Sequence, residues 1–340
     1  MKKRIEEIDI MRGIAAISMI LGHSFIVYPI DISSVPWCHW TQQFIYTFHM
    51  ELFFVIAGIV YKCNNYKTFM LKKTKRILVP YLFFGCITLV LKAIGGAAIN
   101  GNESISYGIN KMIFYGGNYW FLYVLFLLFA IYPFIEKCCS YFKDSNFKAE
   151  IAVGIVVLII RQFSSISSLF ALSLLSYYIP YFIFGRIVGV YLFSDGQPPK
   201  ISKRKSIPIF LASITTFICL EALEIVRELE IGAILSFFRA IAVMICIYFM
   251  VAYLCSLHRD HSTRAFTLIK DAGKYSLQLY LFNGFLLTAI RIIVCSICHI
   301  TSPIVIVLSI WIGDIAISLF VCKLIIPHIP ILRDLCGIGK

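Results

Sequence analysis

Between Asp9 and Ile326 the sequence passes through one apolar stretch after another. Most approach the twenty or so residues that carry an α-helix across a bilayer. Inside hydrocarbon every backbone N–H and C=O must be satisfied within the chain, so stretches of this length are read as helices. Ten can be marked: Asp9–Ile30, Phe44–Tyr61, Ile77–Ala98, Tyr119–Glu136, Ala149–Phe163, Leu172–Phe193, Ile207–Glu224, Ile234–Leu257, Tyr275–Cys298 and Ile304–Ile326. The fifth is the shortest. No soluble domain of any size fits between them, so residues 1–340 read as a single all-α domain, a polytopic membrane helical bundle.

The basic residues suggest an orientation. With the N-terminus inside, the inner segments collect Lys2, Lys3, Arg4, the dense run from Lys67 to Arg76, and cations onward to Lys340. The outer loops hold only Lys111 and Arg227. That asymmetry matches the positive-inside bias and predicts ten spans with both termini cytoplasmic. It also accounts for the net charge of +13, so no nucleic-acid partner is expected. A content of 60% hydrophobic and 14% charged residues is far from that of a soluble domain. The 12 cysteines lie mostly in apolar runs, where they act as small hydrophobes, and outline no disulfide framework. Met-Lys-Lys-Arg ahead of an apolar helix resembles a signal peptide, but the run is too long and lacks a small-residue cleavage site. It is expected to be a retained first span.

Three ionisable residues stand in that first span: Asp9, Arg12 and His23. On a helix, the eleven residues from Arg12 to His23 turn through about three revolutions plus ~20° and rise roughly 16–17 Å. The two side chains share a face, and Asp9, three residues before Arg12, can pair with it. Ionisable residues in a membrane are costly and usually face a bundle interior or a wet cavity. His23 is therefore a candidate general base or nucleophile. Arg12 is a candidate anion contact at the inner mouth, against the plainer reading of a snorkelling cation. His49 and Glu51 enter the second span from the outer surface to about the depth of His23. Lys75 and Arg76 close the densest basic patch, which suits either a phosphate-rich cosubstrate or anionic membrane lipid. Glu221, Arg239 and Arg291 lie near span ends, where snorkelling explains them. Asp314, mid-span, is expected to pair with an arginine. Asn102-Glu103-Ser104 is a glycosylation sequon. Cys295-Ser-Ile-Cys298-His299 has the spacing of a c-type haem attachment site but stands without a second haem feature. There is no glycine-rich phosphate loop and no zinc-ligand spacing.

Several of these residues fall into a known pattern. Ile8-Asp9-Ile10-Met11-Arg12-Gly13 followed by Gly22-His23, Phe48-His49-Met50 with Leu52-Phe53-Phe54 through Ala57-Gly58, Lys75-Arg76-Ile77-Leu78-Val79-Pro80, Trp120-Phe121-Leu122 and Ser276 to Tyr280 occur in one order. The chain thereby resembles the membrane-bound acyltransferase type 3 family, and more narrowly its sugar O-acetylase (fucose 4-O-acetylase-like) branch. Ala57 stands where the family usually has serine, Glu51 where proline or aspartate is common, and Asn118 and Asn283 where histidine is frequent.

The resemblance implies an integral membrane O-acyltransferase, more narrowly an O-acetyltransferase, of the bacterial inner or plasma membrane. It implies acetyl-CoA as the acyl-donor substrate, with no bound cofactor and no metal. The acceptor would be a hydroxyl of a cell-envelope glycan or lipid-linked sugar. By the same resemblance His23 and Arg12 are catalytic, with His23 a general base or transient acyl carrier. Arg12, Lys75 and Arg76 hold acyl-CoA, while His49, Glu51, Trp120 and Asn283 contact the acceptor. Asn283, Asn118 or Tyr280 is a candidate oxyanion donor. The rival is a secondary transporter or flippase for a glycan or small solute. That reading predicts an internal repeat, and none is evident.

Overall fold

The computed structural model describes residues 5–25, 32, 35–95, 104–141, 146–193, 203–227, 232–258 and 263–338. Among them there are helices and no strands. In chain order the α-helices are α1 (Glu6–Ser24), α2 (Pro36–Tyr46), α3 (His49–Ile59), α4 (Tyr66–Lys73) and α5 (Val79–Gly95). Next come α6 (Ile105–Tyr115), α7 (Trp120–Ser140), α8 (Asn146–Phe163), α9 (Leu172–Tyr191) and α10 (Lys203–Arg227). The last are α11 (Ala233–Leu257), α12 (Arg264–Lys274), α13 (Ser276–Arg291), α14 (Pro303–Phe320) and α15 (Pro330–Leu335). Asn102 and Glu103 of the sequon lie outside the described residues, as do Lys2, Lys3, Arg4 and Lys340. The Ser104 hydroxyl caps α6, accepting from the Tyr107 N–H.

Six helical runs among the described residues are long and apolar enough to cross a membrane: Tyr66–Ile94, Ile105–Ser140, Leu169–Tyr191, Ala233–Leu257, Ser276–Ile297 and Pro303–His328. Ser206–Ala222 is a shorter apolar helix. α1 and α8 are not among the six. Each carries charges in its sequence, Glu6, Glu7, Asp9 and Arg12 in one and Lys148, Glu150 and Arg161 in the other.

The expected second span differs most from the structure. Phe44–Tyr61 is two helices, not one: α2 ends at Tyr46 and α3 starts at His49, with Phe48 between them at φ −141°. The eleven residues of α3 rise ~16 Å, about half a hydrocarbon core. Apolar character continues through the break, so hydropathy does not mark it.

The chain packs as two compact units. The first comprises Met1–Val60 and Phe184–Leu319. Here α1 is surrounded, with Ile10, Ala15, Ala16, Met19 and Ile20 all inaccessible. α12 lies against its N-terminal half, with Gly13 facing the carbonyl of Ile269 and Gly273 that of Asp9. A methyl on either glycine would collide with backbone. Further along, Trp311 of α14 donates its indole N–H to the Ile17 carbonyl at 3.0 Å. Gly22 admits Tyr46 and Ile45 of α2. Hydropathy treats 258–274 as an inner loop, whereas the structure folds Arg264–Lys274 into the amphipathic α12. Thr263 starts it, accepting from the Phe266 N–H at 3.3 Å, a usual N-cap contact. Glu221 of α10 and Arg239 of α11 pair at 3.3 Å, so snorkelling is not their whole account.

The second unit comprises Tyr61–Ile183 and Phe320–Lys340. In it α7 runs antiparallel to the Tyr66–Ile94 helical run. At one end the Tyr66 hydroxyl meets the Ala130 carbonyl at 3.4 Å, and Lys73 lies 3.5 Å from the Phe129 ring centroid. At the other end the Thr88 and Tyr119 hydroxyls lie 3.5 Å apart. Tyr61, Phe129, Tyr132 and Phe182 pack edge to face. The Tyr61 and Tyr132 hydroxyls donate to Glu136 and Glu150 at 2.9 and 2.8 Å, giving those carboxylates partners.

Candidate active site

The site in the first unit is built outward from Asp314, midway along α14 and fully inaccessible. A buried carboxylate requires donors. Ser318, one turn on, supplies its hydroxyl to Oδ1 at 3.0 Å. Asn283 of α13 supplies Nδ2 to Oδ2 at 2.8 Å. The arginine expected beside Asp314 is replaced by these two neutral donors. The Asn283 oxygen then faces Nδ1 of His23, 2.5 Å away.

These contacts fix a proton position. With both Asp314 oxygens accepting, one from Ser318 and one from the Asn283 amide nitrogen, the amide oxygen is left facing His23. That oxygen also only accepts, so Nδ1 of His23 carries the hydrogen. The lone pair is left on Nε2. Asn283, Asp314 and Ser318 are buried, whereas His23 is only half-buried. The chain of contacts is thus anchored in the interior and ends on a ring that is partly accessible.

The break between α2 and α3 positions His49. As the first residue of α3 it donates Nδ1–H to the Ile45 carbonyl at 2.8 Å, so its Nε2 is also the accepting nitrogen. It is buried against the Tyr46 ring and lies within electrostatic reach of His23. Glu51, two residues on, is buried as well.

Arg12 stands eleven residues before His23 on the same unbroken helix and pairs with Asp9 at 3.4 Å. Asp9 is buried, and Gly273 of α12 abuts its backbone. α12 also brings Lys270 and Lys274 toward this end of α1. Lys270 pairs with Glu6, whose carboxylate raises the ammonium's pKa. Hydropathy alone treats these two lysines as loop charges; the Thr263 cap and the amphipathic pattern that follows are the signals that place them on a helix.

Lys75, Arg76 and Trp120 belong to the second unit, and Tyr280 is buried on α13 in the first. Lys75 and Arg76 are exposed in a wide helical turn, where the Val79 N–H reaches the Thr74 carbonyl five residues back. Such turns recur at functional sites. Trp120 opens α7 and stacks on Tyr178, centroids 5.6 Å apart at 20°. The antiparallel arrangement sets Trp120 toward the opposite end of the unit from Lys75 and Arg76. The structure therefore brings His23, Asn283 and His49 together, and holds Lys75 and Arg76 apart from Trp120. Asp314 and Ser318 complete the first group and were missed as site residues.

A family model described as an acyltransferase domain matches residues 5–323. No curated protein and no solved structure matches the chain.

Proposed function

The chain belongs to the acyltransferase 3 family and has the apolar helices of a membrane protein; on that premise we propose that it transfers an acetyl group from cytosolic acetyl-CoA to a hydroxyl of a cell-envelope glycan or lipid-linked sugar. The supporting observation is the contact between His23 Nδ1 and the Asn283 amide oxygen. Asn283, itself oriented by Asp314, takes the Nδ1 hydrogen and leaves Nε2 basic. In the proposed step Nε2 removes the acceptor's hydroxyl proton. The acceptor oxygen attacks the thioester carbonyl, the C–S bond breaks, and the departing thiolate receives the proton from the imidazolium. Such general-base help contributes about 10²–10⁴-fold.

Arg12 is the proposed contact for the anionic donor, with Lys75 and Arg76 as further cations for it. His49, Glu51 and Trp120 are the proposed acceptor contacts. Asn283 moves in this reading from substrate contact to positioning residue, because both its oxygen and its nitrogen are engaged by His23 and Asp314. The topology we propose has ten crossings, the second made by the α2–α3 pair in place of a single helix, and two cytoplasmic termini, in a plasma or bacterial inner membrane.

The test uses membranes from the native host bearing wild type or His23→Ala at equal levels. Labelled acetyl-CoA is supplied on the cytosolic side, and glycans and lipid-linked sugars are extracted. Label in the wild type alone is the expected result. Equal label in both removes His23 from the mechanism, and label in neither moves the transporter reading ahead.

A further inference from the structure

A second recess lies wholly within the second unit and shares no residue with the His23–Asn283–Asp314 contacts. Lys92 of α5 and Lys111 of α6 line it, with Tyr81, Thr88, Asn118 and Tyr119. No acidic residue is among its lining. Tyr81 and Tyr119 are buried, Asn118 is exposed, and both lysines are half-buried. The turn at Gly116 and Gly117, with φ of 82° and 54°, forms part of the wall; these are backbone values that favour glycine.

The placement of the lysines is the telling feature. On the Tyr66–Ile94 run, Lys92 lies sixteen residues, or ~24 Å, beyond Arg76 and its basic patch. It is therefore at the opposite end of a membrane-crossing helix from the cation-rich segment. The charge bias that keeps cations on one face makes a lysine pair on the other face costly to topology, and the outer loops otherwise hold only Arg227.

We infer that this recess binds a small oxyanion, a phosphoryl or carboxylate group, presented at the membrane face opposite the basic patch. Two ammonium groups supply charge, and the Asn118 amide supplies N–H donors. The group is carried either by a substrate or by a lipid headgroup, and the inference does not depend on the acyl-transfer reading.

The test uses the full chain purified in neutral detergent. Amine acylation at Lys92 and Lys111 is quantified by mass spectrometry with and without pyrophosphate, with Lys67 as the internal control. Protection of the first two alone is expected. In Lys92→Gln/Lys111→Gln, pyrophosphate binding falls roughly tenfold or more, in keeping with lost charge-assisted hydrogen bonds. A second arm places the wild type in phosphatidylcholine vesicles with or without phosphatidylglycerol. Protection by phosphatidylglycerol alone assigns the oxyanion to a headgroup, and protection by pyrophosphate assigns it to a soluble or substrate-borne group. Equal acylation under all conditions overturns the inference, and that reading needs no variant to fold.

Discussion

His23 depends on two residues that do not touch the proposed reacting atoms. Asp314→Asn removes the carboxylate that fixes the Asn283 amide, so the amide is free to turn over and present nitrogen to His23. Turnover of acetyl transfer is expected to fall about tenfold or more, with the KM for acetyl-CoA little changed. A purely structural role for Asp314 would instead lower the amount of folded protein at unchanged specific activity. Asn283→Leu should act in the same direction and leave acetyl-CoA binding intact. Arg12→Gln should do the reverse, raising the KM for acetyl-CoA more than it lowers kcat. Arg12 and His23 were legible in the sequence because charge in an apolar run is conspicuous. Asp314 was visible for the same reason, yet its partners were not. Residues 23, 283 and 314 come from three helices, and no spacing rule connects positions 260 residues apart. Asn283 read as a departure from a family pattern, and its role as a connector exists only in three dimensions.

At the scale of elements, α12 and the α2–α3 break hold the site residues in place. Gly273→Ala would set a methyl against the Asp9 carbonyl and push α12 off α1. Overpacking of this kind costs about 1–3 kcal/mol, read as a lower thermal midpoint in detergent. Gly284→Ala is the matched control, since a methyl there meets nothing within 4 Å. It should be neutral or slightly stabilising, as Ala exceeds Gly in helix propensity. Thr263→Ala removes the α12 cap and should cost about 1 kcal/mol. The long apolar helices could be read from hydropathy because length and composition are what a bilayer selects. α12 could not, because its apolar face is shorter than a span and is satisfied by α1 instead. The α2–α3 break escaped for the opposite reason: Thr47 and Phe48 sit in a stretch that hydropathy alone leaves continuous.

At the scale of the whole molecule, the charge asymmetry makes a topological prediction. Single cysteines replacing Lys72 and Lys111, in a background lacking exposed cysteines, should label from opposite sides of sealed membranes with an impermeant thiol reagent. Labelling from the same side would overturn the ten-span topology. The Asn283 link bears on a larger question, which is whether the protein draws on the electrochemical gradient. An amide passes a proton onward only through its costly imidic tautomer, so Asn283 insulates His23 from Asp314. By the Asn283 route a proton taken up at Nε2 does not reach Asp314, and in the proposed step it goes to the departing sulfur. On that reading acetyl transfer drives no proton through Asp314, and collapsing the protonmotive force with an uncoupler should leave it running at its usual rate.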